Sequence, residues 1–297
     1  MIQTIAQMDA EARARLADRT PVVKLTLAHA AAFSLLVYKT GGDPATWLVG
    51  NFALVARTPA SGAGYDALAA LHGPTRTLVI ANRGVEGFSN IVDLEAAYSM
   101  HQGSGPGGPM ESALDFLAAA RAAAGNINEI LCVGHSMGGG LSEAQVALAR
   151  PWLAAAGAGF DGPIWGAGFG SAAFGDAIVA LASARRMPVE PDIKLEMSHH
   201  VRSEDLIWRN FGAEKMLGTR YDCADVWRWQ FNPSTGRAPP YWRLGCDQLE
   251  NHMMALYSAW FDRGPADYIL KRTAGYELRA SMRPSGRRFM AIPAADR

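Results

Sequence analysis

A serine flanked by small residues stands near the middle of the chain, in the run Gly134-His-Ser-Met-Gly-Gly-Gly140. The apolar residues before it predict a buried strand, and residues 141–149 after it predict a helix. A serine at a sharp strand-to-helix turn exposes its oxygen above the sheet, and small neighbours let the tight backbone pack closely. The N-terminus of the following helix adds free N–H groups and a positive dipole at the same point. The pattern predicts that Ser136 is a nucleophile.

A nucleophilic serine needs a general base, and in the chain order typical of this turn the base lies downstream. The downstream histidines are His199, His200 and His252. His199 and His200 fall within a predicted strand, so we expect them either to pack in the core or to support the catalytic residues from behind, rather than to act as the base. His252 precedes a predicted helix, which places it after a sheet element. We therefore predict that His252 is the base.

The acid that orients the base should follow a late strand. The run from Ile193 to Arg209 is predicted to be a strand that ends in a loop carrying Glu204 and Asp205. Only one of two adjacent side chains at a strand end can face the histidine. We assign that role to Asp205, which gives a Ser-His-Asp triad of Ser136, His252 and Asp205.

Acyl transfer also needs two hydrogen-bond donors where the oxyanion forms. One comes from the residue after the nucleophile and the other from a loop near an earlier strand. The backbone amides of Met137 and Val85 are the candidates. Arg83 and Asp93, on either side of Val85, are expected to form an ion pair that braces the loop.

These residues lie in a chain where predicted strands and helices alternate. Helices are predicted at 8–18, 24–39, 112–124, 137–150, 172–186 and 248–262, and strands at 52–57, 77–81, 129–133, 163–166 and 193–198. Such alternation, with continuous apolar strands, predicts a mostly parallel sheet covered by helices on both faces. Active sites in these sheets lie at the carboxyl ends of the strands, where the residues above are found.

The motifs resemble those of class 3 (fungal-type) lipases of the α/β-hydrolase superfamily, over about residues 25–262. Arg83-Gly84-Val85 with Asn90-Ile-Val-Asp93-Leu94 resembles the family's oxyanion segment, and residues 134–140 match its elbow. Trp165-Gly-Ala-Gly168 and Glu204-Asp-Leu-Ile207 resemble the later strand end and the acid turn more loosely. Val85 lacks the hydroxyl that is usual in the family, so its backbone amide would be the donor. The resemblance implies an α/β-hydrolase fold, a triad and an ester or lipid substrate.

We predict a single α/β-hydrolase domain over residues 1–297. Residues 1–24 would be an N-terminal helical extension, 208–247 an aromatic-rich insertion and 271–297 a basic C-terminal segment. The segment 208–252 holds eight aromatic residues, which must be buried against something. It forms either a satellite core or the wall of an apolar substrate pocket; in the second case Trp227 and Trp229 bind the acyl chain.

Composition excludes several classes of protein. The 297 residues carry a formal net charge of zero, which argues against a nucleic-acid-binding protein. The three cysteines are too few and too far apart for a disulfide scaffold or a zinc cluster, so neither a metal nor a cofactor is predicted. No transmembrane segment is expected, which leaves open transient contact with a lipid surface. The charged N-terminus does not resemble a signal peptide, so we expect a cytoplasmic protein or one secreted without a signal.

The expected activity is hydrolysis of carboxylic esters, of lipase, esterase or phospholipase type, through an acyl-enzyme. Two alternatives remain open. The same triad could transfer the acyl group to an alcohol other than water, or the fold could be catalytically inactive and serve as a binding module.

Overall fold

Seven strands form one sheet in this computed structural model, which describes residues 5–18, 25–38, 48, 50–58, 65–85, 108–202 and 215–223. The strands are β1 (Phe52–Arg57), β2 (Ala67–His72), β3 (Thr77–Asn82), β4 (Glu129–His135), β5 (Ile164–Phe169), β6 (Met197–Arg202) and β7 (Thr219–Cys223). They lie side by side in chain order. β1, β2 and β3 pair antiparallel, whereas β3 to β7 pair parallel. The carboxyl ends of β3 to β7 therefore share one edge of the sheet.

The described helices are α1 (Ile5–Ala17), α2 (Leu27–Leu36), α3 (Pro109–Ala123), α4 (Met137–Ala155), α5 (Gly175–Arg185) and the single turn α6 (Ile193–Glu196). α2 begins with a capping box in which Thr26 Oγ1 accepts from the His29 amide and the His29 ring accepts from the Thr26 amide. Both terminal amides are thereby satisfied, which fixes the start of a wholly buried helix.

The central strands β3, β4 and β5 bury both of their faces, whereas β1, at the edge of the sheet, is partly exposed. In β3, Leu78 and Ile80 pack into the core that contains α3, α4 and α5, whereas Val79 and Ala81 pack into the core that contains α1 and α2. This alternation follows from the two-residue period of a strand. The prediction of a mostly parallel sheet with helices on both faces is confirmed, and the architecture is that of an α/β-hydrolase fold.

One predicted strand is misplaced, and two strands were not predicted. The strand predicted at 193–198 begins only at Met197, because residues 193–196 form α6, and it runs on to Arg202. β2 was not expected, since its sequence Ala-Leu-Ala-Ala-Leu-His favours a helix by propensity. β7 was not expected either, and it makes five residues of the predicted insertion at 208–247 part of the sheet.

Some predictions lie outside the described residues. These are the helix at 248–262, the C-terminal segment 271–297 and most of the aromatic-rich segment. Within the described ranges, no helix combines the length and the apolar character that crossing a bilayer requires.

Candidate active site

The backbone of Ser136 adopts an unusual conformation between β4 and α4. Its φ is 59° and its ψ is −127°, a region that residues with a side chain rarely occupy. Hydrogen bonds hold it there: the Ser136 amide donates to Phe169 O at 3.0 Å, and Ser136 O accepts from the Gly139 and Ala172 amides at 3.0 and 3.1 Å. The side chain makes no hydrogen bond that caps α4. The strand-to-helix elbow predicted from the sequence is confirmed in its geometry.

Close backbone packing explains two of the elbow's glycines. A Cβ on Gly134 would overlap the Gly138 carbonyl, and a Cβ on Gly138 would overlap the Asn82 carbonyl. α4 can therefore begin directly against the ends of β3 and β4 only because these positions lack side chains. Met137 is the first residue of α4, so its amide has no carbonyl partner within the helix.

The loop predicted to supply the second oxyanion donor lies against the elbow. A Cβ on Gly84 would come within 2.9 Å of Ser136 Cβ, so the chain passes Ser136 at van der Waals range. Val85 follows directly, is half-buried and packs against the core. Arg83 pairs with Asp66 at 3.4 Å, a partner that the sequence did not indicate. Asp93, its expected partner, lies outside the described residues.

Tyr38, just past the end of α2, joins this loop to the elbow. Its hydroxyl accepts from the Gly84 amide at 3.0 Å and lies 2.9 Å from His135 Nδ1. The Tyr38 and His135 rings meet edge to face at 5.7 Å. The sequence analysis missed Tyr38; the available signal was a single phenol at the end of an otherwise apolar helix.

Asn82, the last residue of β3, lies just before the Gly84 loop and is held by three buried hydrogen bonds. Its side-chain Nδ2 donates to Ser142 Oγ at 2.9 Å and to Gln145 Oε1 at 2.7 Å, and its side-chain Oδ1 accepts from the Tyr65 hydroxyl at 2.9 Å. Burial raises the pKa of Tyr65, and nearby Cys132 and Asp66 add to the effect, so this phenol stays a donor. This network too was missed, because a lone Asn at a strand end has no distinctive spacing.

His199 and His200 are buried in β6, as expected for packing residues. Nε2 of His199 lies 2.9 Å from Glu143 Oε1. His200 stacks between Phe169 and Tyr221, with ring centroids at 5.7 and 5.1 Å. Burial, and secondarily His199, lowers the pKa of His200 to about 3, which makes it a poor base near neutral pH.

Of the predicted site residues, the structure brings together Ser136, Met137 and Val85. The other predicted residues lie outside the described ranges: Asp205 and its neighbour Glu204, His252, Trp227 and Trp229. β6 ends at Arg202, on the same sheet edge as Ser136 and only three residues before Asp205 in sequence.

Side chains that could bind a metal do not cluster in the part of the chain that the structure describes. No group of three or more His, Cys, Asp or Glu side chains there could hold a metal ion. Cys132 is a buried free thiol, and burial raises its pKa.

Comparisons with known proteins show distant likenesses to fungal lipases. The Lip2 lipase of Yarrowia lipolytica matches with a TM-score of 0.45 and 12% identity, over 77% of this chain and 91% of that one. A triacylglycerol lipase of Penicillium expansum matches with a TM-score of 0.41 and 13% identity, over 76% of this chain and 87% of that one. The triacylglyceride lipase of Rhizomucor miehei matches with a TM-score of 0.42 and 12% identity, over 67% of this chain and 79% of that one. No family model and no curated protein matches the chain.

Proposed function

We propose that the chain is a serine hydrolase that cleaves carboxylic esters of lipase or esterase type. The observation that supports this most is the Ser136 backbone, held at φ 59° by three hydrogen bonds at the catalytic edge of the sheet. Strain of this kind is maintained at functional sites because it aims a side chain. An ordinary helix start would need neither the strain nor the contact with the Gly84 loop.

Each step of the proposed reaction has an assigned group. Ser136 Oγ attacks the ester carbonyl carbon while His252 takes its proton, and Asp205 holds the imidazole in the required tautomer. The Met137 and Val85 amides stabilise the oxyanion. The ester C–O bond then breaks and the alcohol leaves with the proton from His252. Water, activated by the same histidine, releases the acid from the acyl-enzyme.

A lipid-like acyl ester is the substrate class that we favour. The sequence of the aromatic-rich segment holds eight aromatic residues, and we propose that Trp227 and Trp229 contact the acyl chain. Each methylene covered should favour binding by about 0.8 kcal/mol. A series of 4-nitrophenyl esters from acetate to palmitate would therefore show kcat/KM rising with chain length, and replacing both tryptophans with Ala would flatten that rise.

Labelling with a fluorophosphonate probe tests the nucleophile. We expect the wild-type chain to be labelled on Ser136, and Ser136→Ala to fold, escape labelling and lose at least about 10⁴ in kcat. Ser112→Ala, at an exposed serine of α3, is the matched control and should label normally. An unlabelled wild type would favour the inactive binding module instead. Accumulation of a new ester when an alcohol is added would favour acyl transfer.

A further inference from the structure

A buried polar cluster lies between α4 and β6, behind the candidate nucleophile. It consists of Glu143 on α4, His199 on β6 and Ser171 in the loop after β5, all fully buried. Glu143 stands about two turns along α4 from Ser136. None of the sequence motifs includes this glutamate, and the proposed reaction does not use it.

One carboxylate oxygen of Glu143 joins three parts of the sheet and helix layer. Oε1 lies 2.9 Å from His199 Nε2 and accepts from the Leu217 and Gly218 amides at 2.7 and 2.9 Å. Leu217 and Gly218 lead directly into β7. This single side chain therefore ties α4 to β6 and to the start of β7.

The cluster also reaches the loop that clamps the nucleophile. A Cβ on Gly168 would lie 3.0 Å from His199 Nδ1 and would overlap Ser171 Oγ, so these two groups line the same small space. Ala172, next to Ser171, donates its amide to Ser136 O at 3.1 Å. The cluster thus borders the segment that holds the Ser136 backbone.

Three polar atoms of the cluster lower the stability of the fold rather than raise it. Among the described residues, Glu143 Oε2, His199 Nδ1 and Ser171 Oγ are buried without a hydrogen-bond partner. Each such group destabilises the folded state, and apolar side chains of similar volume would avoid that penalty. A positional role explains the arrangement better than core filling does.

We propose that Glu143 is a positioning residue, which fixes β6 relative to the helix that begins at the nucleophile. The inference rests on the proposed function, in which Asp205 is the acid of the triad. Asp205 follows β6 by three residues, so the position of β6 sets where that segment starts. A displacement of about 1 Å in a catalytic constellation can lower the rate by about a hundredfold.

Steady-state kinetics of Glu143→Leu and Glu143→Gln test the proposal. Glu143→Leu removes the shared acceptor, so we expect kcat to fall by about tenfold to a hundredfold with KM almost unchanged. Glu143→Gln keeps one acceptor oxygen and should restore most of kcat. If Glu143→Leu does not fold, His199→Leu, which removes one of the three donors, should lower kcat in the same way but less.

Glu196→Gln is the matched control, because Glu196 is also a buried carboxylate, 3.9 Å from Arg150 and at the opposite end of β6. It should leave kcat unchanged even if the melting temperature drops. Amide hydrogen exchange should accelerate at Leu217 and Gly218 in Glu143→Leu but not in Glu196→Gln. Wild-type kcat in Glu143→Leu, or an equal loss in Glu196→Gln, would overturn the proposal. A wild-type chain without esterase activity would overturn the proposed function and, with it, this inference.

Discussion

At the scale of single residues, one hydroxyl links the Gly84 loop, which is proposed to supply an oxyanion donor, to the elbow at Ser136. Tyr38 Oη accepts from the Gly84 amide and also lies within hydrogen-bond distance of His135 Nδ1. The Gly84 amide is thereby engaged, and the next amide along the chain, that of Val85, is the one proposed to face the substrate. Tyr38 acts through the loop and is in that sense a positioning residue.

Replacing Tyr38 with Phe should slow the reaction without unfolding the protein. The ring packing is preserved, whereas the loop loses its bond to the Gly84 amide. We expect kcat to fall by about tenfold or more with a small change in KM, because a donor displaced from its position stabilises the transition state less. Kinetics with a 4-nitrophenyl ester would measure this, with melting temperature as the control for folding. Wild-type kcat would show that the loop keeps its position without the hydroxyl.

The choice between Asp205 and Glu204 is also decided at the residue scale. Asp205→Asn should lower kcat by several orders of magnitude, since the neutral amide no longer stabilises the imidazolium or selects its tautomer. Glu204→Gln is the matched change one residue away and should have little effect. The reverse result would transfer the acid's role to Glu204.

At the scale of elements, the side-chain amide of Asn82 joins β3 to α4 by hydrogen bonds. Asn82 bonds to Ser142 and Gln145 on α4 and to Tyr65 ahead of β2, and all four residues are buried. Gln145 continues the network to Ala113 O on α3 at 2.7 Å. The network makes the end of β3 and the start of α4 one rigid unit, which the candidate oxyanion site requires.

Asn82→Leu should therefore destabilise the whole fold. Leu is similar in size but leaves the Tyr65 hydroxyl and Gln145 Oε1 buried without their bonds to Asn82, each at a cost of about 1–3 kcal/mol, whereas Ser142 Oγ keeps its bond to Gly138 O. Urea unfolding should show a loss of several kcal/mol. Asn128→Leu is the control, because Asn128 is exposed and its one side-chain bond, to Thr75 O, lies at the opposite edge of the sheet. Equal effects of the two variants would contradict a special role for the network.

Elements were predictable from the sequence where local pattern and tertiary environment agree. The apolar run of β4 and the glycines after Ser136 mark a strand, a turn and a helix unambiguously. β2 was missed because its alanines and leucines prefer a helix, and only pairing with β1 and β3 makes them a strand. Tyr38, Asn82 and Glu143 were missed because their partners are distant in sequence: Glu143 and Leu217 are 74 residues apart.

At the scale of the whole molecule, neutral histidines are buried at several places in the two cores. Mainly because of burial, the pKa of His29 and the pKa of His72 are lowered to about 4, and the pKa of His200 is lowered to about 3. In the unfolded chain these imidazoles titrate near 6.5. The unfolded state therefore binds protons between pH 6.5 and about 4 that the folded state does not bind.

This difference predicts that the protein loses stability as pH falls below 6.5. By linkage, each of these three histidines lowers the free energy of unfolding by up to about 1.4 kcal/mol per pH unit, until the pH reaches its folded-state pKa. Urea unfolding at pH 7, 6 and 5 should reveal how steeply the free energy of unfolding falls with pH.

The variant His200→Phe keeps a ring between Phe169 and Tyr221 but cannot titrate. The slope of its unfolding free energy against pH should therefore be smaller by up to about 1.4 kcal/mol per pH unit, the contribution of one proton. The carboxylates contribute equally to both proteins, so the difference in slope isolates the histidine. Identical slopes would show that His200 is protonated to the same extent in the folded and unfolded chains.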